Sequence, residues 1–175
     1  MALSREQVVA GAYAVLQEQG LSGLSMRRVA QGLGVQPGAL YYHVPSKQEM
    51  LAEIAARILD GVPGPTTDPR QAARELRAAL LRARDGAEVV SFVHAFRPDA
   101  LPALQQLPTL FAGLRPREAG WAARAVVHYV LGFVAEEQNR AELVRLEILA
   151  AGPADADEAF EFGIAALTRR PTRPA

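Results

Sequence analysis

A chain of 175 residues, half of them apolar and 22% charged, can bury a real core and hold two small coupled modules, which excludes wholesale disorder. The absence of cysteine excludes disulfides and thiolate metal sites, and the scattered His43, His94 and His128 make a poor metal set, so no metal or cofactor is expected. The formal net charge is zero, and residues 1–50 hold four Lys/Arg against three Asp/Glu, so no basic stripe advertises nucleic acid. No apolar run reaches the ~18 residues of a membrane span, and MALSREQVVAGAYAVL lacks a basic leader, so a cytoplasmic protein without membrane contact is expected.

Ser4 with Gln7 forms a capping-box pattern that launches Val8, Ala12, Val15 and Leu16 at helical spacing, with Gly20 as the stop. Ser25 caps a second, short helix carrying Val29, Ala30 and Leu33 inward until Gly34. Gln36 is the expected N-cap of a third helix, with Pro37 at its first position and its end at His43. A second capping box, Ser46 with Glu49, starts a fourth helix whose apolar face is Met50, Leu51, Ile54, Ala55, Ile58 and Leu59.

The stretch GVPGPTTDP at 61–69 marks a boundary, after which Asp68 and Pro69 open a helix with Ala72, Leu76, Ala79, Leu80 and Ala83 as its buried stripe, ended by Asp85–Gly86. Residues 88–99 read as a helix because a lone strand would have no partner. Pro102, Pro108 and Pro116 cut the next stretch into short pieces. From Arg117 the pattern AGWAARAVVHYVLGFVAEEQ is apolar nearly all round, predicting a helix buried at the centre of a bundle. A last helix, 155–168, has Phe160, Ile164 and Leu167 on one side and Phe162 and Ala166 on another, too much apolar surface for one face. The surplus suggests a homodimer through a four-helix interface.

Two short helices joined at a glycine and packed on a longer one outline a helix-turn-helix, and the adjacent Tyr41 and Tyr42 cannot both face one core, so at least one is presented outward. The stretch GLSGLSMRRVAQGLGVQPGALYYHVPSKQEML resembles the N-terminal signature of the tetracycline-repressor (TetR) family. The resemblance implies that Arg27 reaches DNA from the second helix, that Gln36, Pro37, Ala39, Tyr41, Tyr42 and His43 line the groove-facing helix, and that Lys47 grips phosphate. It also implies an all-α fold: a DNA-binding domain at 1–47, a connecting helix at 48–62, and an effector-binding and dimerising bundle at 63–175.

ALLRARDGAEV, HYVLGFVAEEQ and FEFGIAAL are similar to stretches of the drug-sensing domain of tetracycline repressors. Where those repressors carry a histidine after the fourth helix, this chain has Val62–Pro63; their asparagine and phenylalanine become Ala72 and Leu76. The segment between EEQ and FEFG is shortened. The polar drug and magnesium ligands are largely gone, so tetracycline is not the expected effector, and a small apolar or amphipathic molecule is. Its candidate pocket is lined by Leu76, Leu80, Phe92, Phe96, Trp121, Val126, Tyr129 and Phe133. His94, Arg124, His128 and Gln138 are the candidate polar anchors. Arg124 and His128 share one face of a helix expected to be buried, which would require a partner such as Glu88, a backbone carbonyl or a ligand carboxylate.

The expected function is a transcriptional regulator, a repressor released by its effector from a palindromic double-stranded DNA operator. An alternative is a helical small-molecule- or partner-binding module with little sequence-specific DNA binding. An enzyme is not expected: no HExxH, phosphate-binding glycine loop or GxSxG elbow is present, and Ser91, His94 and Asp99 lie in one short stretch with no turn that presents the serine.

Overall fold

The computed structural model describes residues 3–64, 66–152 and 155–169. These form α1 (Arg5–Gly23), α2 (Met26–Gly32), α3 (Pro37–His43), α4 (Lys47–Ile58), α5 (Pro69–Leu81), α6 (Gly86–Phe96), α7 (Pro102–Gln105), α8 (Pro116–Arg145) and α9 (Ala156–Leu167). Short 3-10 turns stand at Pro98–Ala100 and Leu107–Phe111, and there is no strand among the described residues. The chain divides into two compact units that do not follow chain order: residues 1–60 with 79–102, and residues 61–78 with 103–175.

In the first unit the three expected serine caps form. Ser4 Oγ accepts the Gln7 N–H while Gln7 Oε1 accepts the Ser4 N–H at 2.9 Å, and Ser25 and Ser46 accept the N–H groups of Arg28 and Glu49. Val8, Ala12, Leu16, Val29, Leu40, Val44, Met50 and Ile54 are all wholly buried, so α1 to α4 share one core, to which α6 adds Val89, Val90 and Val93. Gly20, at φ +70° and non-helical, breaks the first helix where a stop was expected, and a further helical turn resumes beyond it to Gly23. One boundary differs from expectation. Asp85–Gly86 does not end α5, which stops at Leu81; Asp85 is the N-cap residue of α6.

In the second unit, α5 and α9 run against each other through a ladder of arginines spaced i, i+4, i+7. The Arg77 guanidinium donates to Asp157 at 2.6 Å and to Glu137 of α8 at 2.8 Å. Arg74 makes a two-pronged pair with Glu161 at 2.6 and 2.8 Å, and Arg70 donates to Thr168 Oγ1 at 2.9 Å. Arg77 also lies over the Phe160 ring, 4.8 Å from its centroid, so charge and aromatic packing act on one spot. Phe160 and Ile164 are the buried residues of α9, whereas Phe162 and Leu167 face outward.

The expectation of an α8 buried all round is corrected. Its buried stripe is Ala119, Ala123, Val126, Val127, Val130, Leu131 and Val134, while Trp121 is 53% exposed and Arg124 and His128 are exposed. A helix with an apolar majority is not thereby central: the side carrying Trp121, Arg124 and His128 stays exposed among the described residues.

Two consequences are testable. Tyr129 Oη donates toward the carbonyls of Phe160 and Ala159 at 3.2 and 3.3 Å, so close to Gly163 that a Cβ there would overlap the phenol. Gly163→Ala is therefore expected to cost about 1–3 kcal/mol, read as a lower urea midpoint. Separately, the Arg74 hydrogen bond holds the Glu161 carboxyl below its ordinary value of 4.5. A depressed folded value gives stability that is present above 4.5 and is lost as pH falls through the lower folded value. The pair is exposed, so the expected result is a small fall in melting temperature as pH drops below 4.5, part of it absent in Arg74→Gln.

Candidate nucleic-acid interface

The connection from α2 to α3 turns at Gly34, whose φ of +66° suits glycine, and is closed by the Val35 N–H bonding to the Ala30 carbonyl at 3.0 Å. Leu40 and Val44, both wholly buried, pin α3 to the core, and its remaining side chains turn outward. Tyr41 is 51% exposed and Tyr42 89%, so both rings face solvent although one would have satisfied the sequence argument. Gln36, Pro37 and Ala39 are exposed beside them. Gln36 holds the N-cap position without a side-chain cap bond, which leaves its amide open for a hydrogen bond outside the chain. His43 is half-buried, with its ring edge-on to Tyr42 at 5.2 Å.

The cations divide by their bonding. Arg28 Nη1 donates to the Gly23 carbonyl at 3.0 Å and is spent on the fold. Arg27 and Lys47 are exposed, with no hydrogen bond or ion pair to another described residue. Lys47 is the first residue of α4, where its charge opposes the positive end of the helix, an arrangement that a bound phosphate would reverse. The Glu49 carboxylate, expected to complete a capping box with Ser46, instead pairs with Arg97 at the end of α6. That pair was not legible, because its partners lie 48 residues apart. The face as a whole offers a planar cation, an amide, two phenols and a point charge, the groups that contact base edges and phosphates.

The candidate effector residues lie in both units. In the first, Leu80 is wholly buried, His94 is half-buried, and Phe92 and Phe96 pack ring against ring at 4.9 Å while remaining 47% and 43% exposed. In the second, Leu76 and Val126 are core residues, Tyr129, Phe133 and Gln138 are half-buried, and Trp121 carries Arg117 over its ring at 4.9 Å. Burial pushes the Tyr129 hydroxyl above its ordinary value. Arg124 and His128 are both exposed, so burial does not demand the partner that was expected for them. Among the described residues no helix is long and apolar enough to cross a membrane.

Residues 8–54 match the model of the bacterial regulatory proteins of the tetR family, and residues 66–148 match the tetracyclin repressor-like C-terminal domain. The class G tetracycline repressor protein of Vibrio anguillarum is 36% identical over 146 residues, covering 78% of this chain and 70% of that protein. The crystal structure of BioQ from Mycobacterium smegmatis is similar at a TM-score of 0.84 and 36% identity, covering 94% of this chain and 95% of that one. A crystal structure of BioQ with its double-stranded DNA operator is similar at a TM-score of 0.77 and 32% identity, covering 96% and 99%. With both halves matched and relatives of this identity spanning nearly the whole chain, the protein belongs to the tetR family of bacterial regulatory proteins, a family of DNA-binding regulators rather than enzymes.

Proposed function

We propose that this chain is a repressor that reads a palindromic operator as a homodimer and leaves it when a small apolar or amphipathic effector binds. The observation that carries the reading is the outward face of α2, α3 and the start of α4, where Arg27, Gln36, Tyr41, Tyr42 and Lys47 are exposed together. Gly38 and Ala39 offer it little hydrogen-bonding chemistry, so readout rests on few side chains and partly on DNA shape. The operator-bound BioQ lends support by likeness.

The dimer is supported by apolar surface on α8 and α9: Trp121, Phe162 and Leu167 are 53%, 76% and 41% exposed. Two copies would place two recognition helices about one DNA turn apart, ~34–36 Å or a multiple, matching a palindrome. The effector is supported by the tetracyclin repressor-like match over 66–148, and its apolar character by the aromatic pair Phe92–Phe96. A regulator of this kind works in the cytoplasm, where its operator is.

Selection of bound duplexes from a random pool, followed by sedimentation of protein on the winning duplex, tests the reading. It stands if a palindrome is enriched and carries two chains. It falls if no sequence is enriched.

A further inference from the structure

We infer that Lys47 is an acylation site, through which an activated acyl donor of the acyl phosphate or acyl thioester class switches off the DNA-reading face. This rests on the reading that Lys47 meets DNA phosphate.

Lys47 is the only lysine in the sequence, and the other 18 of its 19 basic side chains are arginine. Lysine is ordinarily among the commonest residues, so a chain that takes arginine everywhere else has gathered its side-chain amine chemistry at one position. The distinction is chemical rather than electrostatic. A guanidinium stays protonated and offers no nucleophilic lone pair, whereas a lysine amine in its neutral form attacks carbonyl carbon. Of the two cations exposed on the reading face, Arg27 and Lys47, only Lys47 can therefore take an acyl group.

The surroundings of Lys47, all within the first unit, leave the amine accessible. It is exposed at the first position of α4 and makes no hydrogen bond or ion pair with any described residue. Three and four residues on stand Met50 and Leu51, both buried and apolar, so its own helix offers it no partner. Both carboxylates of α4 are engaged, Glu49 by Arg97 and Glu53 by Arg5, and Ser46 Oγ accepts the Glu49 N–H at 3.1 Å. In the transfer, the lone pair of Lys47 Nζ attacks the acyl carbon and a C–N bond forms. The C–O bond to phosphate or the C–S bond to the thiol breaks, phosphate or thiolate leaves, and the amine proton passes to water. The amide that results is uncharged, so a dimer loses a phosphate contact at each half-site. The fold loses nothing, because the charge removed opposes the positive end of α4.

The test treats the full chain with acetyl phosphate in one arm and acetyl-coenzyme A in the other, maps the acetyl group by peptide mass, and titrates the product against the selected palindrome. Lys47 in the folded chain is expected to react within about threefold of the rate of an unstructured VPSKQE peptide, and more slowly when the duplex is bound first. Acetylation should weaken palindrome binding by about 10-fold to 100-fold and reduce the slope of log affinity against log salt by about 2, with no fall in melting temperature. Lys47→Arg keeps a cation that cannot be acylated, so its affinity, whatever its starting value, should not change on treatment. Reaction in only one arm identifies the donor class. A Lys47 that reacts in neither arm, or more than about tenfold slower than the peptide in both, would overturn the switch, and a weakened Lys47→Ala would then leave the phosphate contact standing. Fully acetylated protein that binds as untreated protein does would overturn the switch, and the contact with it if Lys47→Ala also binds normally.

Discussion

Alanine at Arg27 is expected to weaken operator binding by about 30-fold to 10⁴-fold while the thermal unfolding of the free protein stays where it was. A two-pronged contact from a guanidinium to guanine is worth ~1–3 kcal/mol, and a two-fold symmetric dimer loses it at both half-sites, ~2–6 kcal/mol in all. The free protein has nothing to lose, because Arg27 is exposed and bonds to no other described residue. Its neighbour serves as the control: Arg28 is tied to the Gly23 carbonyl, so Arg28→Ala should lower stability. Titration of both variants against the selected duplex separates these roles. A shift below about threefold for Arg27→Ala would make that residue a solvated charge rather than a reader of bases.

Phe160→Ala is expected to have the largest effect on stability, about 3–5 kcal/mol in urea unfolding. Phe160 is wholly buried, stacks on Tyr129 at 5.6 Å, meets Phe133 edge-on at 5.3 Å and lies beneath Arg77 at 4.8 Å. Its removal takes away one of the two buried residues that seat α9, leaving the polar ladder from α5 to hold a helix on its own. If the proposed dimer forms through α8 and α9, its loss should accompany loss of stability. A cost under about 1 kcal/mol would mean that the aromatic cluster is not what anchors α9.

The head of this protein was legible in its sequence because its signals are local. Ser4, Ser25 and Ser46 lie within three residues of the amides they cap, Pro37 fixes the first turn of α3, and the Tyr41–Tyr42 pair forces at least one ring outward wherever the helix goes. What escaped depends on neighbours far along the chain. Gly20 reads as a stop and the helix does break there, but nothing local shows that a further turn runs to Gly23 or that Asp85, 65 positions later, accepts the Leu21 N–H. Asp85–Gly86 looks like the end of one helix and turns out to begin the next, because α5 stops earlier, at Leu81, and a turn intervenes before α6. The exposed stripe of α8 was hidden by composition: a run of Ala and Val with one Trp reads the same whether its second face meets the same chain or another. Arg70, Arg74 and Arg77 share a face at helical spacing, but a charged face is ordinarily solvated, and nothing near them names Thr168, Glu161 and Asp157 as partners.

The central claim is that one face, built from α2, α3 and the start of α4, reads DNA sequence. The most direct test titrates wild type and Arg27→Ala/Tyr42→Ala/Lys47→Ala against the selected palindrome and against a scrambled duplex of equal length at fixed salt. Wild type should prefer the palindrome by roughly 10³–10⁷-fold, and the triple variant should lose most of that preference while keeping its melting temperature. A triple variant that still discriminated as wild type does would place the reading surface elsewhere and contradict the account.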